Sequence, residues 1–190
     1  MKVTKEYEWN EIKWADLNIG DSVQLPEFTV PEMTVAGDRE LYFEEQTVKD
    51  TATVYNIKDG KIYLIFDHAL FKSAVDNNNT KLWCDTQLAQ YLRGTFLTAL
   101  ARKTKATDCG LLRKEDLWGD NALPFFKNNG KNRICFDKNE DVSVWYWLET
   151  PGDAFAANFY ITNYYGDAAY IYANRANGFV RPCLIVKKEE

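Results

Sequence analysis

The chain offers few side chains of the types that perform acid–base or nucleophilic chemistry. Its single histidine, His68, follows Asp67 in the sequence "FDHAL", and a histidine beside a carboxylate could serve as a general base. Neighbouring residues of a strand point to opposite faces, so we interpret His68 as a structural residue. The sequence contains no nucleophile elbow, zinc-protease motif, phosphate-binding loop or dinucleotide-binding loop. We therefore expect no catalytic residue and a protein that is not an enzyme.

Metal ligands are equally sparse. The four cysteines are widely scattered, form no C-x-x-C pair and have one histidine to join them, so a zinc site is not expected. In a reducing compartment each cysteine is interpreted as a small buried hydrophobe. Residues 137–141 ("DKNED") begin like a calcium loop, but Val142 and Leu148 stand where glycine and glutamate are required. A solvated acidic turn is the favoured interpretation and a calcium site the alternative; no cofactor is expected.

Charge and hydropathy limit the partners. The 23 basic and 28 acidic residues give a net charge of -5, which argues against a broad phosphate-binding surface. The basic residues of 102–114 follow a predicted helix and complement its dipole, so nucleic acid is not an expected partner. The N-terminal residues show no apolar signal-peptide segment, and no apolar run approaches the roughly 20 residues of a membrane span. We expect a cytoplasmic or virion-associated protein without membrane insertion.

Residues 153–177 ("DAFAANFYITNYYGDAAYIYANRAN") have an unusual composition. They contain no Lys, Glu, Gln, Met or Trp, although these types occur throughout the rest of the chain. The alternation predicts a hairpin around the loop 163–167, with Phe159 and Ile171 facing the core and Tyr and Asn facing outward. Tyrosine provides a large contact area at low entropic cost, and asparagine provides adaptable hydrogen bonds. We expect the ligand-binding residues to be Asn158, Tyr160, Tyr164, Tyr165, Asp167, Tyr170, Tyr172, Asn174 and Arg175.

The remaining elements predict an α+β fold of small antiparallel sheets. "TATVYNI", "KDG" and "KIYLIF" predict a hairpin, and an apolar stripe from Leu88 to Leu100 predicts one main helix capped by Asp85 or Thr86. Gly94 is the weak point of that helix. "RKEDLWGD" predicts one short helix, "VSVWYWLE" one strand and "FVRPCLIVKK" a final strand. Strands on both sides of the helices favour α+β over a parallel βαβ repeat.

The C-terminal half resembles an uncharacterised bacterial and phage family. Its signature is a Trp-Trp-Leu-Arg-Ser-Pro segment, a polar hairpin region, Gly-Val-Arg-Pro and an apolar final strand. The residues that carry the resemblance are Trp145, Trp147, Leu148, Pro151, Gly178, Val180, Arg181 and Pro182. "KLWCDTQLAQYLRGTFL" and "GLLRKEDLWG" are similar to two further family segments, so the resemblance spans roughly residues 55–186. Glu149, Thr150 and Phe179 depart from the pattern.

The same ending resembles the C-type-lectin-like domains of the sulfatase-modifying type, and it implies a C-type-lectin-like fold with an irregular C-terminal hairpin region. The expected organisation is a single domain over 1–190, with an N-terminal arm and first strand at 1–35 and a lectin-like body at 36–190. By this resemblance Trp145, Trp147, Gly178 and Arg181 form the structural frame. Arg181 is expected to donate hydrogen bonds to backbone carbonyls.

Some domains with this ending resemble the variable proteins of diversity-generating retroelements, in which template adenines are randomised. Replacing the adenines of Asn codons cannot yield Lys, Glu, Gln, Met or Trp, and all five of these types are absent from residues 153–177. We therefore expect a non-enzymatic display domain, of phage or bacterial retroelement origin, that binds a protein or glycan receptor. The alternatives are a structural or assembly protein of a phage or prophage particle and an enzyme of the sulfatase-modifying type. An oligomer is compatible with each.

Overall fold

A computed structural model of the chain describes residues 5–35, 41–152 and 157–188. The structure is mixed α+β, built mostly from short strands. In chain order, the strands are β1 (Glu6–Glu8), β2 (Ser22–Gln24), β3 (Phe28–Val30), β4 (Met33–Val35), β5 (Leu41–Phe43), β6 (Gln46–Val48), β7 (Thr51–Lys58), β8 (Lys61–Phe66), β9 (His68–Ala69), β10 (Phe71–Lys72), β11 (Ala106–Gly110), β12 (Cys135–Asp137), β13 (Ser143–Val144), β14 (Tyr146–Pro151), β15 (Asn158–Thr162), β16 (Ala168–Tyr172), β17 (Phe179–Val180) and β18 (Cys183–Lys187).

The helical segments are short, apart from one composite helix. That helix comprises α1 (Gln87–Tyr91), a π-helical segment (Leu92–Phe96) and α2 (Leu97–Ala101). Two single-turn helices follow, α3 (Lys114–Leu117) and α4 (Pro124–Lys127). Single 3₁₀ turns occupy Trp9–Glu11, Trp14–Asp16, Trp83–Asp85 and Gly130–Arg133.

A six-stranded sheet in the order β1-β2-β7-β8-β18-β11 separates two hydrophobic clusters. Along β8, Leu64 and Phe66 belong to the larger cluster, which also contains the helix side chains Leu92 and Phe96. Ile65, between them in sequence, belongs to the smaller cluster. Because successive strand residues face opposite sides, the two clusters lie on opposite faces of this sheet. The predicted hairpin "TATVYNI-KDG-KIYLIF" is confirmed as the β7–β8 pair.

The main helix begins and weakens where the sequence predicts. Thr86 is its N-cap, and its side chain accepts a hydrogen bond from the Ala89 amide at 3.2 Å. The π segment contains Gly94, whose lack of a side chain lowers the cost of departing from α-helical geometry. Leu88, Leu92 and Leu100 of this helix pack in the larger cluster. The α-helical hydrogen-bond pattern is interrupted in the π segment.

A five-stranded sheet in the order β10-β17-β14-β15-β16 carries the predicted tyrosine-rich hairpin. β15 and β16 pair antiparallel with Tyr160 opposite Tyr170, and residues 163–167 form the connection. The hairpin and its loop are therefore where the sequence predicted them. Residues 153–156 of the unusual stretch, and residues 36–40 at the predicted boundary between arm and body, lie outside the described residues.

Two strands predicted as continuous are divided between sheets. "VSVWYWLE" forms β13, which pairs with β12 in a three-stranded sheet, and then β14 in the five-stranded sheet, with Trp145 at the junction. "FVRPCLIVKK" forms β17 in the five-stranded sheet and β18 in the six-stranded sheet. Arg181 and Pro182 lie between β17 and β18, and proline has no amide hydrogen to continue a ladder. The junction at Arg181 and Pro182 joins the two main sheets, and the junction at Trp145 joins the three-stranded sheet to the five-stranded sheet.

Candidate functional site

The loop of the tyrosine hairpin is closed by one asparagine. The Asn163 Oδ1 atom accepts the amides of Tyr165 and Asp167, each at 2.9 Å, and the Asn163 amide donates to the Asp167 carbonyl at 2.9 Å. Gly166 has φ of +85°, a conformation that side chains disfavour. The local sequence Asn-Tyr-Tyr-Gly-Asp thus builds a turn in which the polar side chain satisfies the loop backbone and leaves the two tyrosines free to project.

Four tyrosines of this hairpin are exposed to solvent. The exposed fractions are 48% for Tyr164, 81% for Tyr165, 59% for Tyr170 and 55% for Tyr172. We call these four residues the tyrosine face. Among the other residues predicted to bind, Asp167 and Arg175 are exposed and Asn174 is half-buried. The structure therefore brings seven of the predicted residues together on β16 and its two flanking turns.

The outward position predicted for Asn158 and Tyr160 is wrong. Both side chains are buried, and every residue of β15 is buried, because β15 has a neighbouring strand on each side and packed residues on both faces. Tyr160 belongs to the smaller hydrophobic cluster. The Lys114 ammonium donates to the Tyr160 hydroxyl at 2.9 Å and lies 4.0 Å from its ring centroid. No spacing in the sequence links Lys114 to Tyr160, since α3 is far away along the chain.

Two of the predicted frame residues, Trp147 and Gly178, are joined at Ser73 beside the hairpin. The Trp147 Nε1–H donates to the Ser73 carbonyl at 2.8 Å, and the Ser73 amide donates to the Gly178 carbonyl at 2.8 Å. The Trp145 and Trp147 rings meet edge to face, with centroids 5.3 Å apart. A side chain at Gly178 would place its Cβ on top of the Trp147 Nε1 atom and 2.8 Å from the Trp145 ring. Only glycine therefore fits at this point.

Arg181 is buried at the junction between the two main sheets. Its Nε–H donates to the Phe66 carbonyl at 2.8 Å, and an Nη1–H donates to the Asn132 carbonyl at 3.4 Å. Its guanidinium lies 5.4 Å from the Tyr146 ring centroid. These contacts agree with the sequence interpretation of Arg181 as a donor to backbone carbonyls, and they make it a structural residue.

A groove of about 580 Å³ borders the end of the hairpin. Its lining includes Phe71 and Phe179, and Lys72 Nζ lies 4.7 Å from the Phe179 ring centroid. Its acidic lining residues are Glu44, Glu45, Asp137 and Glu140. The Asp137 Oδ1 atom accepts the amides of Asn139 and Glu140 at 2.7 and 3.1 Å, so that carboxylate closes its own turn. Among the described residues no group of three or more His, Cys, Asp or Glu side chains is arranged to hold a metal ion.

A second cavity, of about 390 Å³, contains paired ionisable groups that no sequence motif indicated. Tyr55, Arg113, Asp116 and Glu149 line it. The Arg113 Nε–H donates to Glu149 Oε1 at 2.5 Å, and Asp116 Oδ2 accepts the Arg113 amide at 3.1 Å. Burial raises the pKa of Asp116 above its ordinary value. Arg113, Asp116 and Glu149 bond to one another, so the geometry accounts for them as a helix start and an ion pair.

The histidine and the cysteines lie apart from the tyrosine face. His68 Nδ1 lies 2.7 Å from Asp50 Oδ1, so its carboxylate partner is Asp50 and not the adjacent Asp67. Asp67 instead accepts hydrogen bonds from the hydroxyls of Thr51 and Thr53. Cys109, Cys135 and Cys183 are buried free thiols, whereas Cys84 is exposed, which corrects the expectation that all four are buried.

Comparison with known proteins found one family model that matches part of the chain. Residues 106–188 match the family model described as a domain of unknown function (DUF6273). The matched segment contains the Trp145–Trp147 and Gly178–Pro182 motifs, which supports the resemblance to an uncharacterised family; it does not reach residues 55–105. No curated protein and no solved structure matches the chain. No helix among the described residues is long and apolar enough to cross a membrane.

Proposed function

We propose that the chain is a non-enzymatic binding domain whose contact surface is the tyrosine face together with Asp167, Asn174 and Arg175. The observation that carries this proposal is the contrast within one hairpin: β15 is buried on both faces, while β16 and the loop expose four tyrosines. Exposed aromatic side chains on a rigid support lose little entropy on binding and provide a large contact area. The partner we propose is a protein or glycan receptor.

The position of the ordered support favours recognition over catalysis. Asn163 fixes the loop backbone, and the bonds of Trp147 and Arg181 fix the strands beneath it. Side chains that recognise a partner need such a support, because ordering mobile side chains on binding costs free energy and lowers the affinity for the partner. Asp116, whose pKa is raised by burial, lies in the separate cavity lined by Tyr55 and Glu149, where its carboxylate accepts the Arg113 amide.

The test is a binding screen of the full chain against a glycan array and a displayed random-peptide library. Ligands captured by the native chain should lose binding to a variant with serine at Tyr164, Tyr165, Tyr170 and Tyr172. The matched control is Val142→Ser, which removes an exposed apolar side chain from a different turn and should bind as the native chain does. Equal binding by the serine variant and the native chain would contradict the proposal.

We further propose that the fold is C-type-lectin-like. The support is local: Trp147, Gly178 and Arg181 make buried contacts beside the C-terminal hairpin, in the order that the sequence resemblance implies. Superposition of the chain on lectin-like domains tests this proposal. A different order of strands around the frame would refute it.

We also propose that the hairpin is diversified by a retroelement, with variation confined to its exposed part. Random replacement in β15 would place polar side chains where Phe159 and Ile161 fill the larger cluster. Sequencing the coding locus across its source population should therefore find adenine-directed variation in codons 163–177 and constancy in codons 158–162. Variation that is absent, or even along the chain, would refute this origin and favour a fixed structural or assembly role.

A further inference from the structure

β16 lies at the open edge of the five-stranded sheet, and two hydrogen bonds fix which way its backbone groups point. The Asn163 amide donates to the Asp167 carbonyl, and the Ala173 amide donates to the Ala157 carbonyl, each at 2.9 Å. These bonds lie at either end of the β15–β16 ladder. In an antiparallel ladder, hydrogen-bonded pairs alternate with non-bonded pairs, so the two bonds set the alternation for every residue between them.

The alternation leaves one set of backbone groups without a strand to pair with. Ala169 and Ile171 direct their amides and carbonyls towards β15. Ala168, Tyr170 and Tyr172 direct theirs away from the sheet, and no described strand pairs with that edge. The side chains of Ala168, Tyr170 and Tyr172 are exposed as well. Among the described residues this edge therefore has outward backbone groups without a neighbouring strand, next to exposed side chains.

This edge lacks the features that protect sheet edges in most proteins, namely charge, proline, bulges and short length. The other edge strands of the two main sheets have such features. β1 carries Glu6 and Glu8, β11 is bulged between Ala106 and Asp108, and the two-residue β10 carries Lys72. β16 has the sequence Ala-Ala-Tyr-Ile-Tyr and pairs with β15 in regular register.

We propose that a second copy of this chain pairs with β16, antiparallel and centred on Tyr170, to form a two-fold dimer. In this register Tyr170 lies opposite Tyr170 of the second copy, and Ala168 lies opposite its Tyr172. All the outward backbone groups then find partners, because these three residues are symmetric about Tyr170. Small side chains meet large ones at the two ends, and the aromatic pair at the centre is a favourable cross-strand pair.

Charge at the ends of the strand favours a second copy over an unrelated strand. Asp167 immediately precedes β16, and Arg175 lies in the turn that follows it, where its amide donates to the Tyr172 carbonyl at 3.1 Å. Antiparallel pairing places Asp167 of one copy at the same end as Arg175 of the other, and the two-fold axis repeats the arrangement. The Tyr172 carbonyl retains a lone pair for the inter-chain bond, since a carbonyl oxygen has two.

The dimer would change the proposed binding surface as well as the mass. Edge pairing does not cover the exposed side chains of β16, so Tyr170 and Tyr172 of both copies would form one continuous aromatic surface. The loop tyrosines, Tyr164 and Tyr165, would lie at both ends of this surface. A binding site of this kind is incomplete in one chain and is shared between two.

The first experiment measures mass and amide exchange on the full chain. Sedimentation analysis at rising protein concentration should approach the mass of two chains and stop there, because a two-fold contact is closed. Amide exchange followed by NMR should be at least about tenfold slower for Ala168, Tyr170 and Tyr172 in the dimer than in the dilute chain. Ala169 and Ile171 should be protected at both concentrations, since they bond to β15.

Adjacent alanines provide matched variants. Ala168→Pro removes an amide that points away from β15, so the variant should fold and remain monomeric. Ala168→Ser alters the same side chain, keeps the amide and should dimerise as the native chain does. Ala169→Pro removes an amide of the internal ladder and should lower stability regardless of association. If Ala168→Pro fails to fold, the amide exchange rates of Ala168, Tyr170 and Tyr172 in the native chain decide whether the dimer forms through β16.

The proposal is overturned if the chain has the mass of a single copy at every concentration with fast exchange at Ala168, Tyr170 and Tyr172. Open-ended association, or a dimer in which these amides stay unprotected, also overturns it. These outcomes are distinct from failure of the binding proposal. A monomer that still loses its ligand in the tyrosine-to-serine variant would refute the dimer and support the binding surface.

Discussion

Gly178 is the residue where the frame under the hairpin tolerates least change. Alanine there would place a Cβ on top of Trp147 Nε1 and 2.8 Å from the Trp145 ring, and would disturb the bond from Trp147 to the Ser73 carbonyl. Overpacking and loss of a buried hydrogen bond together should cost about 3 kcal/mol. Urea unfolding of Gly178→Ala measures this loss directly.

A second glycine provides the control for that substitution. Gly94 lies exposed in the π segment of the main helix, and a Cβ added there would meet nothing within 4 Å. Gly94→Ala should therefore leave stability unchanged or raise it by about 0.5–1 kcal/mol, because alanine loses less backbone entropy. Similar losses at both glycines would contradict the packing described around Trp147.

Thiol reactivity distinguishes the four cysteines. Burial raises the pKa of Cys135 to about 11 and of Cys183 to about 12, and it raises the pKa of Cys109 as well. Because the thiolate is the reactive form, iodoacetamide at mildly alkaline pH should modify only exposed Cys84 in the folded chain. Mass spectrometry should find one adduct before unfolding and four after it. Rapid labelling of Cys183 in the folded chain would contradict its burial.

The residues that could be predicted from the sequence are those with a local signature. Asn163 and Gly166 fit a turn, and Thr86 fits a helix start, because the relevant contacts lie within a few residues. The burial of Tyr160 could not be predicted from the sequence, since Lys114, which packs against it from α3, is distant along the chain. Alternation shows which side chains share a face of a strand, but it does not show whether another layer covers that face.

At the scale of elements, the two strands of the hairpin should differ in how substitution affects stability: substitutions in buried β15 should destabilise the fold, and substitutions of the exposed tyrosines should not. Replacing all four residues of the tyrosine face by serine should change the free energy of unfolding by less than about 2 kcal/mol, because exposed positions contribute little. Phe159→Ala, in β15, should alone cost about 3–5 kcal/mol, since it empties a fully buried site. Thermal unfolding of the two variants compares them. A larger loss for the serine variant would show that the tyrosines stabilise the fold.

Element boundaries were predictable where one strand stays in one sheet. The β7–β8 hairpin and the β15–β16 hairpin have local turns that fix their register. The division of β13 from β14 follows from the pairing of β13 with β12 in a separate three-stranded sheet, and the division of β17 from β18 follows from how the two main sheets meet. That junction is made by Arg181, whose acceptors on Phe66 and Asn132 are distant in sequence. No window of a few residues contains this information.

At the scale of the whole molecule, the matched segment 106–188 depends on strands that precede it. β18 lies between β8 and β11, with Leu184 opposite Leu64. The Trp147 indole and the Arg181 guanidinium donate to the carbonyls of Ser73 and Phe66. Each of these partners lies before residue 106. The segment that defines the family match therefore lacks half of the pairing of its final strand.

We predict that a fragment of residues 106–188 is unfolded in isolation. Without β8 it would leave one edge of β18 unpaired, expose Leu184 and Val186 of the larger cluster, and leave the buried guanidinium of Arg181 without its nearest acceptor. Circular dichroism and NMR of the fragment should show a disordered chain, and adding a fragment of residues 1–105 should restore dispersed spectra. Cooperative unfolding of 106–188 alone would mean that the matched segment has a core of its own and that β8 only adds to it.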